Sequence, residues 1–231
     1  MSEQPRYAIY FVPAADSALY RFGAALLGHD ALGRTDVAQP QAMIDAIPDW
    51  HTLTDDPRRY GFHATLKAPF YLATGANEAE LIAAFDKFAA TPRAIPTITP
   101  VVKLLRFFVA IVNDAPNRDL TALADACVTD FESFRAPLSE KDRARRLKSK
   151  LTDNQIALLD RWGYPYVFEE FFFHMSLTGR IAAEPQRIAE LLATRFAAIN
   201  QRSLAVDRLA LLRQDDPTAR FVTIRHLALT A

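Results

Sequence analysis

One cysteine, Cys127, is all the thiol chemistry the chain has, so neither a disulfide framework nor a cysteine-rich metal cluster belongs to its design. No apolar run approaches the roughly 18 residues that a membrane helix needs. The start, Met1 to Arg6, shows no charged-then-apolar leader pattern, and the expectation is a cytoplasmic protein in a reducing compartment. Net charge is also missing: 27 basic residues balance 27 acidic ones. That balance excludes a blanket attraction to nucleic acid or to an anionic membrane, so any recognition of phosphate must be local. With only seven glycines, the chain carries neither the Walker nor the dinucleotide-binding glycine pattern, which removes nucleoside triphosphate and nicotinamide schemes as leading options. What remains is 231 residues, half of them hydrophobic, enough for a substantial core in one domain or two intimate lobes.

Two histidines stand in look-alike settings, Phe62-His63-Ala64-Thr65-Leu66 and Phe173-His174-Met175-Ser176-Leu177. Successive side chains of a strand alternate between its faces, so each segment, read as a strand, puts imidazole and hydroxyl together on one face and apolar residues on the other. The remaining histidines, His29, His51 and His226, are followed two residues on by Ala31, Leu53 and Ala228 and lack the hydroxyl. A single His-x-Thr strand is more often packing than chemistry. Two of them facing each other suit an in-line displacement at phosphorus, one neutral imidazole taking a proton from water and an imidazolium giving one to the departing oxygen. Histidine fits because its pKa of about 6.5 populates both forms near neutrality.

The surroundings repeat as well. After each motif comes a helix-like stretch, Asn77 to Ala90 and Pro185 to Ile199, and then two β-rich runs, Ile95 to Leu105 with Phe107 to Asn113, and Ser203 to Leu212 with Arg220 to Leu229. Two copies of such length imply a duplicated lobe with a pseudo-twofold axis that brings the histidines together. The expected architecture is α+β: two pseudo-symmetric lobes, each an antiparallel sheet with helices outside, around a central cleft. The lobes are expected near residues 1–115 and 116–231, with a helical insertion near 135–165.

In these paired strands the chain resembles the two-histidine (2H) phosphoesterase superfamily. The strings Arg59 to Phe70 and Phe172 to Arg180 are similar to the branch tied to phosphonate metabolism. The resemblance implies a cleft between lobes, His63 and His174 as the acid and base, Thr65 and Ser176 as phosphate holders, and no metal or other cofactor. It implies a small phosphorylated or cyclic phosphate substrate, with an RNA or nucleotide 2',3'-cyclic end, and ligation in reverse, left open. The alternative is a non-catalytic module that binds a phosphorylated metabolite. The spacing of the two histidines is longer than in compact members of the superfamily, the excess lying between Arg135 and Glu170.

Around the motifs, Lys67 and Arg180 are candidate phosphate-neutralising cations, and Tyr60, Tyr164 and Tyr166 candidate stacking surfaces. Arg213 is a weaker candidate. Arg58 and Arg59 read better as a solvated pair, and the basic run from Lys141 to Lys150 better as a solvated helix face than as a positive lid. The stretch from Gly33 to Tyr60, broken by Pro40, Pro48 and Pro57, reads as an elaborate loop with at most a short helix at 41–47. Metal catalysis would call for a third ligand, and neither motif has one at suitable spacing. No obligate protein partner is evident.

Overall fold

The computed structural model describes residues 4–231, so the first three positions of the start read for a leader pattern lie outside the described residues. The chain runs β1 (Arg6–Phe11), α1 (Ala18–Leu27), β2 (His29–Asp30), β3 (Thr35–Asp36), α2 (Gln41–Ala46), α3 (Trp50–Arg58), β4 (Ala64–Tyr71) and α4 (Glu78–Ala90). It continues through β5 (Thr97–Ile98), β6 (Pro100–Leu105), β7 (Phe108–Asn113), α5 (Arg118–Asp130), α6 (Glu140–Leu147) and α7 (Asp153–Trp162). The last elements are β8 (His174–Ser176), α8 (Pro185–Ala198), β9 (Leu204–Ala205), β10 (Arg208–Gln214) and β11 (Val222–Ala228).

Local chemistry explains most of these boundaries. The side chains of Ser17, Asn77, Asn117, Ser139 and Thr152 each accept a hydrogen bond from the backbone N–H three residues on, which satisfies one orphan donor at each helix start. α3 is the surprise, since the prolines around it read as breaks. Pro57 in its last turn has no N–H to give the carbonyl of Leu53, and that carbonyl accepts instead from Gly179 N at 2.6 Å. The vacancy in the helix ladder therefore ties α3 to the loop that follows the second motif. Gly179 suits the contact, because a Cβ there would lie 3.2 Å from the same oxygen.

The fold is α+β, and its main sheet has seven antiparallel strands in the order β11-β10-β1-β4-β8-β7-β6. Its two parts meet only between β4 and β8, through the pair Ala64 and Met175. The halves exchange segments. The hairpin β6–β7, which follows the first motif, pairs with β8 of the second, whereas β10–β11 joins the side of β1 and β4. α4 packs on β10 and β11, and α8 on β6 and β7. Each half of the sheet thus draws on both stretches 1–115 and 116–231, and the two crossing segments pair with each other as β5 and β9. α6 and α7 form the helix pair expected in the insertion, joined by Arg143 and Asp160 at 2.6 Å.

β1 is buried along Tyr7–Phe11, as a strand covered on both faces must be. Phe62, beside the first histidine, is 1% exposed and lies against Gly23 of α1 so closely that a methyl at Gly23 would overlap its ring. Gly23→Ala is therefore expected to destabilise the protein by about 1–3 kcal/mol in urea denaturation, the usual cost of overpacking. Adding Phe62→Leu should recover part of that loss, whereas an unaltered midpoint in Gly23→Ala would contradict the packing described.

Candidate active site

The Ala64–Met175 pair sets the geometry of the site. In an antiparallel pair a local twofold axis relates the strands, and residues on either side of a paired position share the opposite face of the sheet. His63 and Thr65 flank Ala64, as His174 and Ser176 flank Met175. Ala64 and Met175 are buried at 1% and 0%, while the four flanking side chains are half-buried. Diagonal neighbours of such a pair lie about 7–8 Å apart, a separation one bound phosphoryl group can bridge. All four line a single cleft of about 800 Å³.

The two imidazoles are held alike. His63 Nδ1 lies 2.8 Å from the carbonyl of Gly61, and His174 Nδ1 lies 2.9 Å from that of Phe172, in both cases the residue two positions earlier. A carbonyl only accepts, so each Nδ1 carries the proton and each neutral ring keeps its Nε2 lone pair for the cleft. Gly61 makes its bond from φ 76°, a conformation that suits glycine. The environments then diverge. The His63 ring stacks on Tyr10 at 3.9 Å, and its Nε2 lies 3.2 Å from the Thr65 hydroxyl. His174 sits between the edge of Phe108 at 5.9 Å and the exposed Phe172 at 6.2 Å. Burial pushes the His63 pKa down to about 4, the neighbouring His174 adding to the effect against the Gly61 hydrogen bond. Burial also lowers His174, opposed by its bond to Phe172.

The cleft gathers Tyr60 and Arg180 as expected. The Arg180 guanidinium lies 4.1 Å from the Phe107 ring centre. Lys67 is a correction. It is 4% exposed, and its Nζ donates to Val128 O at 2.8 Å and pairs with Glu132 at 3.0 Å, away from the cleft. The cause is a β-bulge: Tyr10 pairs with Thr65 but Ile9 pairs with Lys67, so one extra residue on β4 reverses its alternation beyond the motif. Ala68 and Pro69 line the cleft instead.

Of the Arg58–Arg59 pair, Arg58 braces backbone, donating to Leu27 O at 2.6 Å, while Arg59 lines the cleft. Arg213 pairs with Glu78 and Asp215, and neither it nor Tyr166 is among the lining residues. The basic segment contributes Arg145 and Arg146, and Tyr164 joins them. Arg6 and Tyr10 were not singled out in the sequence. Only the register of β1 against β4, with Tyr10 opposite Thr65, reveals them. Among the described residues no group of three or more His, Cys, Asp or Glu side chains gathers in metal-binding fashion, and no helix is long and apolar enough to cross a membrane.

An α+β protein with paired histidine–hydroxyl strands across an arginine-lined cleft is the class that fold and site define. The chain belongs to the family described as "Protein of unknown function (DUF1045)", matched over residues 65–222, which include Thr65, His174 and Ser176. It is 40% identical over 224 residues to a ribose 1,5-bisphosphate phosphokinase PhnN of Janthinobacterium sp. (strain Marseille), a match covering 94% of this chain and 49% of that protein. To the protein of the same name in Laribacter hongkongensis (strain HLHK9) it is 34% identical over 178 residues, covering 76% and 40%. The chain thus spans about half the length, or less, of these curated relatives. Among solved structures it is similar to E. coli LigT complexed with 3'-AMP, at 15% identity and a TM-score of 0.46, over 99% of this chain and 100% of that one.

Because both imidazoles lose protons more readily folded than unfolded, the unfolded chain binds more protons in the interval below 6.5, and stability must fall as pH drops from about 6.5 toward 4. Imidazole NMR titration of the free protein is expected to show His63 neutral until about pH 4 and His174 titrating below 6.5. A free-state His63 midpoint at or above 6.5 would contradict the burial described. Added inorganic phosphate should raise at least one of the two midpoints.

Proposed function

We propose that this protein is a metal-independent phosphoesterase that hydrolyses a cyclic phosphate or another phosphodiester by paired-histidine acid–base catalysis. The observation that carries the reading is the quartet of His63, Thr65, His174 and Ser176 on one face of two adjacent antiparallel strands, lining one cleft. In this scheme one Nε2 takes the proton of the attacking water as its oxygen bonds to phosphorus. The other, as imidazolium, protonates the departing ester oxygen on the opposite side. Thr65 and Ser176 donate to the non-bridging oxygens, and Arg180 balances their charge.

In our reading the asymmetry of the two rings supports an assignment of roles. His63, stacked on Tyr10 and held neutral by burial, is the base, whereas His174, beside the exposed Phe172, is the acid once an anion in the cleft favours its charged form. A serine nucleophile fits less well, since both Nδ1 atoms are turned to backbone carbonyls and no carboxylate orients either imidazole as the base of a triad.

The curated relatives point to the setting. Their name specifies a phosphokinase, and this chain, lacking a Walker pattern, corresponds to about half of them; in our reading that activity belongs to the remainder and the phosphodiesterase to this part. A sugar phosphate ester of phosphonate metabolism is accordingly the favoured substrate. The balanced overall charge favours a small molecule over long RNA.

Hydrolysis of generic cyclic and linear phosphodiesters should survive excess chelator and fall about 100-fold or more in both His63→Ala and His174→Ala. Saturable binding without turnover in the unaltered protein would favour the metabolite-binding module instead. The roles are separable with a p-nitrophenyl phosphodiester, whose leaving group needs no proton. His174→Ala should keep much of its rate on that substrate and His63→Ala should not; the reverse pattern would exchange the assignments.

A further inference from the structure

The cleft holds more positive charge than a single phosphodiester requires. Five arginines line it, Arg6, Arg59, Arg145, Arg146 and Arg180, against one carboxylate, Asp56, in a chain whose charges otherwise cancel. A diester carries one negative charge, and Arg180, by its contact with Phe107 next to Phe108 and His174, already stands on the second-motif side. The surplus collects on the other side, around His63.

There Arg6 is held by Gln214 and lies over the ring of Phe221 at 5.8 Å. Phe221 in turn stacks on Tyr60 at 5.3 Å and lies 6.2 Å from Tyr10, the ring that covers His63. Arg146, from α6, lies over Tyr164 at 4.8 Å. Arg6, Arg146, Tyr10, Tyr60 and Tyr164 all line this one cleft.

Most polar groups of this cluster lack a protein partner. Among the described residues Arg6 and Arg146 have no carboxylate partner, and the Arg146 Nε is enclosed without a hydrogen bond. Among the described residues the hydroxyls of Tyr10, Tyr60 and Tyr164 have no hydrogen-bond partner, although Tyr7 and Tyr20 bond carboxylates at 2.8 and 2.6 Å. A buried guanidinium ordinarily finds partners for its N–H groups. Arg146 without a protein acceptor, Arg6 with only the neutral amide oxygen of Gln214, and hydroxyl donors beside them are what a phosphate dianion needs.

We infer that Arg6 and Arg146, with the hydroxyls of Tyr60 and Tyr164, hold a second and non-reacting phosphate, so that the substrate is a small molecule carrying a terminal phosphomonoester in addition to the ester that is cleaved. This rests on the phosphoesterase reading and narrows it. A phosphomonoester carries about −1.5 to −2 at neutral pH, which matches the surplus where a second diester would not. Bound beside the reacting group, it anchors the scissile ester between the histidines.

The test compares adenosine 2',3'-cyclic phosphate with the same compound bearing a 5'-phosphate. The unaltered protein should prefer the 5'-phosphorylated substrate by about 100-fold in kcat/KM, and Arg146→Met combined with Arg6→Met should shrink that ratio below about 10-fold. Arg146→Lys, which keeps the charge and loses the fork, should fall between. Equal kcat/KM on the two compounds in the unaltered protein, or a ratio unmoved in the double variant, would overturn the subsite while leaving the phosphoesterase reading intact. Should neither compound be cleaved, that reading fails by itself, and calorimetric titration with ribose 5-phosphate decides the subsite. Saturable binding that persists in His174→Ala and disappears in a folded Arg146→Met supports it, and absence of binding to the unaltered protein refutes it.

Discussion

The contact of β4 with β8 is the constraint on which the rest of the site depends. One residue pair, Ala64 and Met175, joins a four-stranded and a three-stranded portion of the sheet, and both residues face the core. Shifting that register by one position would turn every motif side chain to the other face and bury imidazoles where aliphatic groups now pack. The core and the chemistry are therefore fixed by a common choice of register. Phe62, Phe173, Leu66 and Leu177, packed beneath, hold the registry that the short β8 could not secure from backbone pairing alone.

Much of this was legible from the residues. The His-x-Thr and His-x-Ser strings announced their strands, and the helix-like stretches from Asn77 and from Pro185 are α4 and α8. α3 was illegible because a proline usually ends a helix, and here the acceptor that Pro57 abandons is satisfied from a segment over a hundred residues away. Lys67 was misplaced because strict alternation takes no account of a bulge, and a bulge is a property of two strands together. Arg6 and Tyr10 gave no signal, since their place in the cleft comes from strand pairing rather than from any motif. The exchange of hairpins between the halves was equally hidden: periodicity marks a strand and is silent about which edge it joins.

Electrostatics in this molecule is a matter of placement rather than total. Ion pairs such as Arg143 with Asp160 and Arg187 with Glu184 neutralise the surface locally, and they contribute little to stability where exposed. The lining arginines are mostly exempt from such pairing. Partly screened from water, a guanidinium there acts on an anion more strongly than it would on an open surface. α6 brings together both behaviours, since Arg143 fastens it to α7 while Arg146 faces the cleft. An inserted hairpin that reads as a solvated face thus supplies part of the cleft wall.

The bond from Gly179 to the Leu53 carbonyl exists because residue 57 has no donor of its own. An ordinary amino acid at that position would restore a rival N–H, and two amides would then compete for one oxygen. The identity of residue 57 is in this sense an address for a loop far along the chain. A lineage could change it freely only after finding another anchor for the segment that presents Arg180.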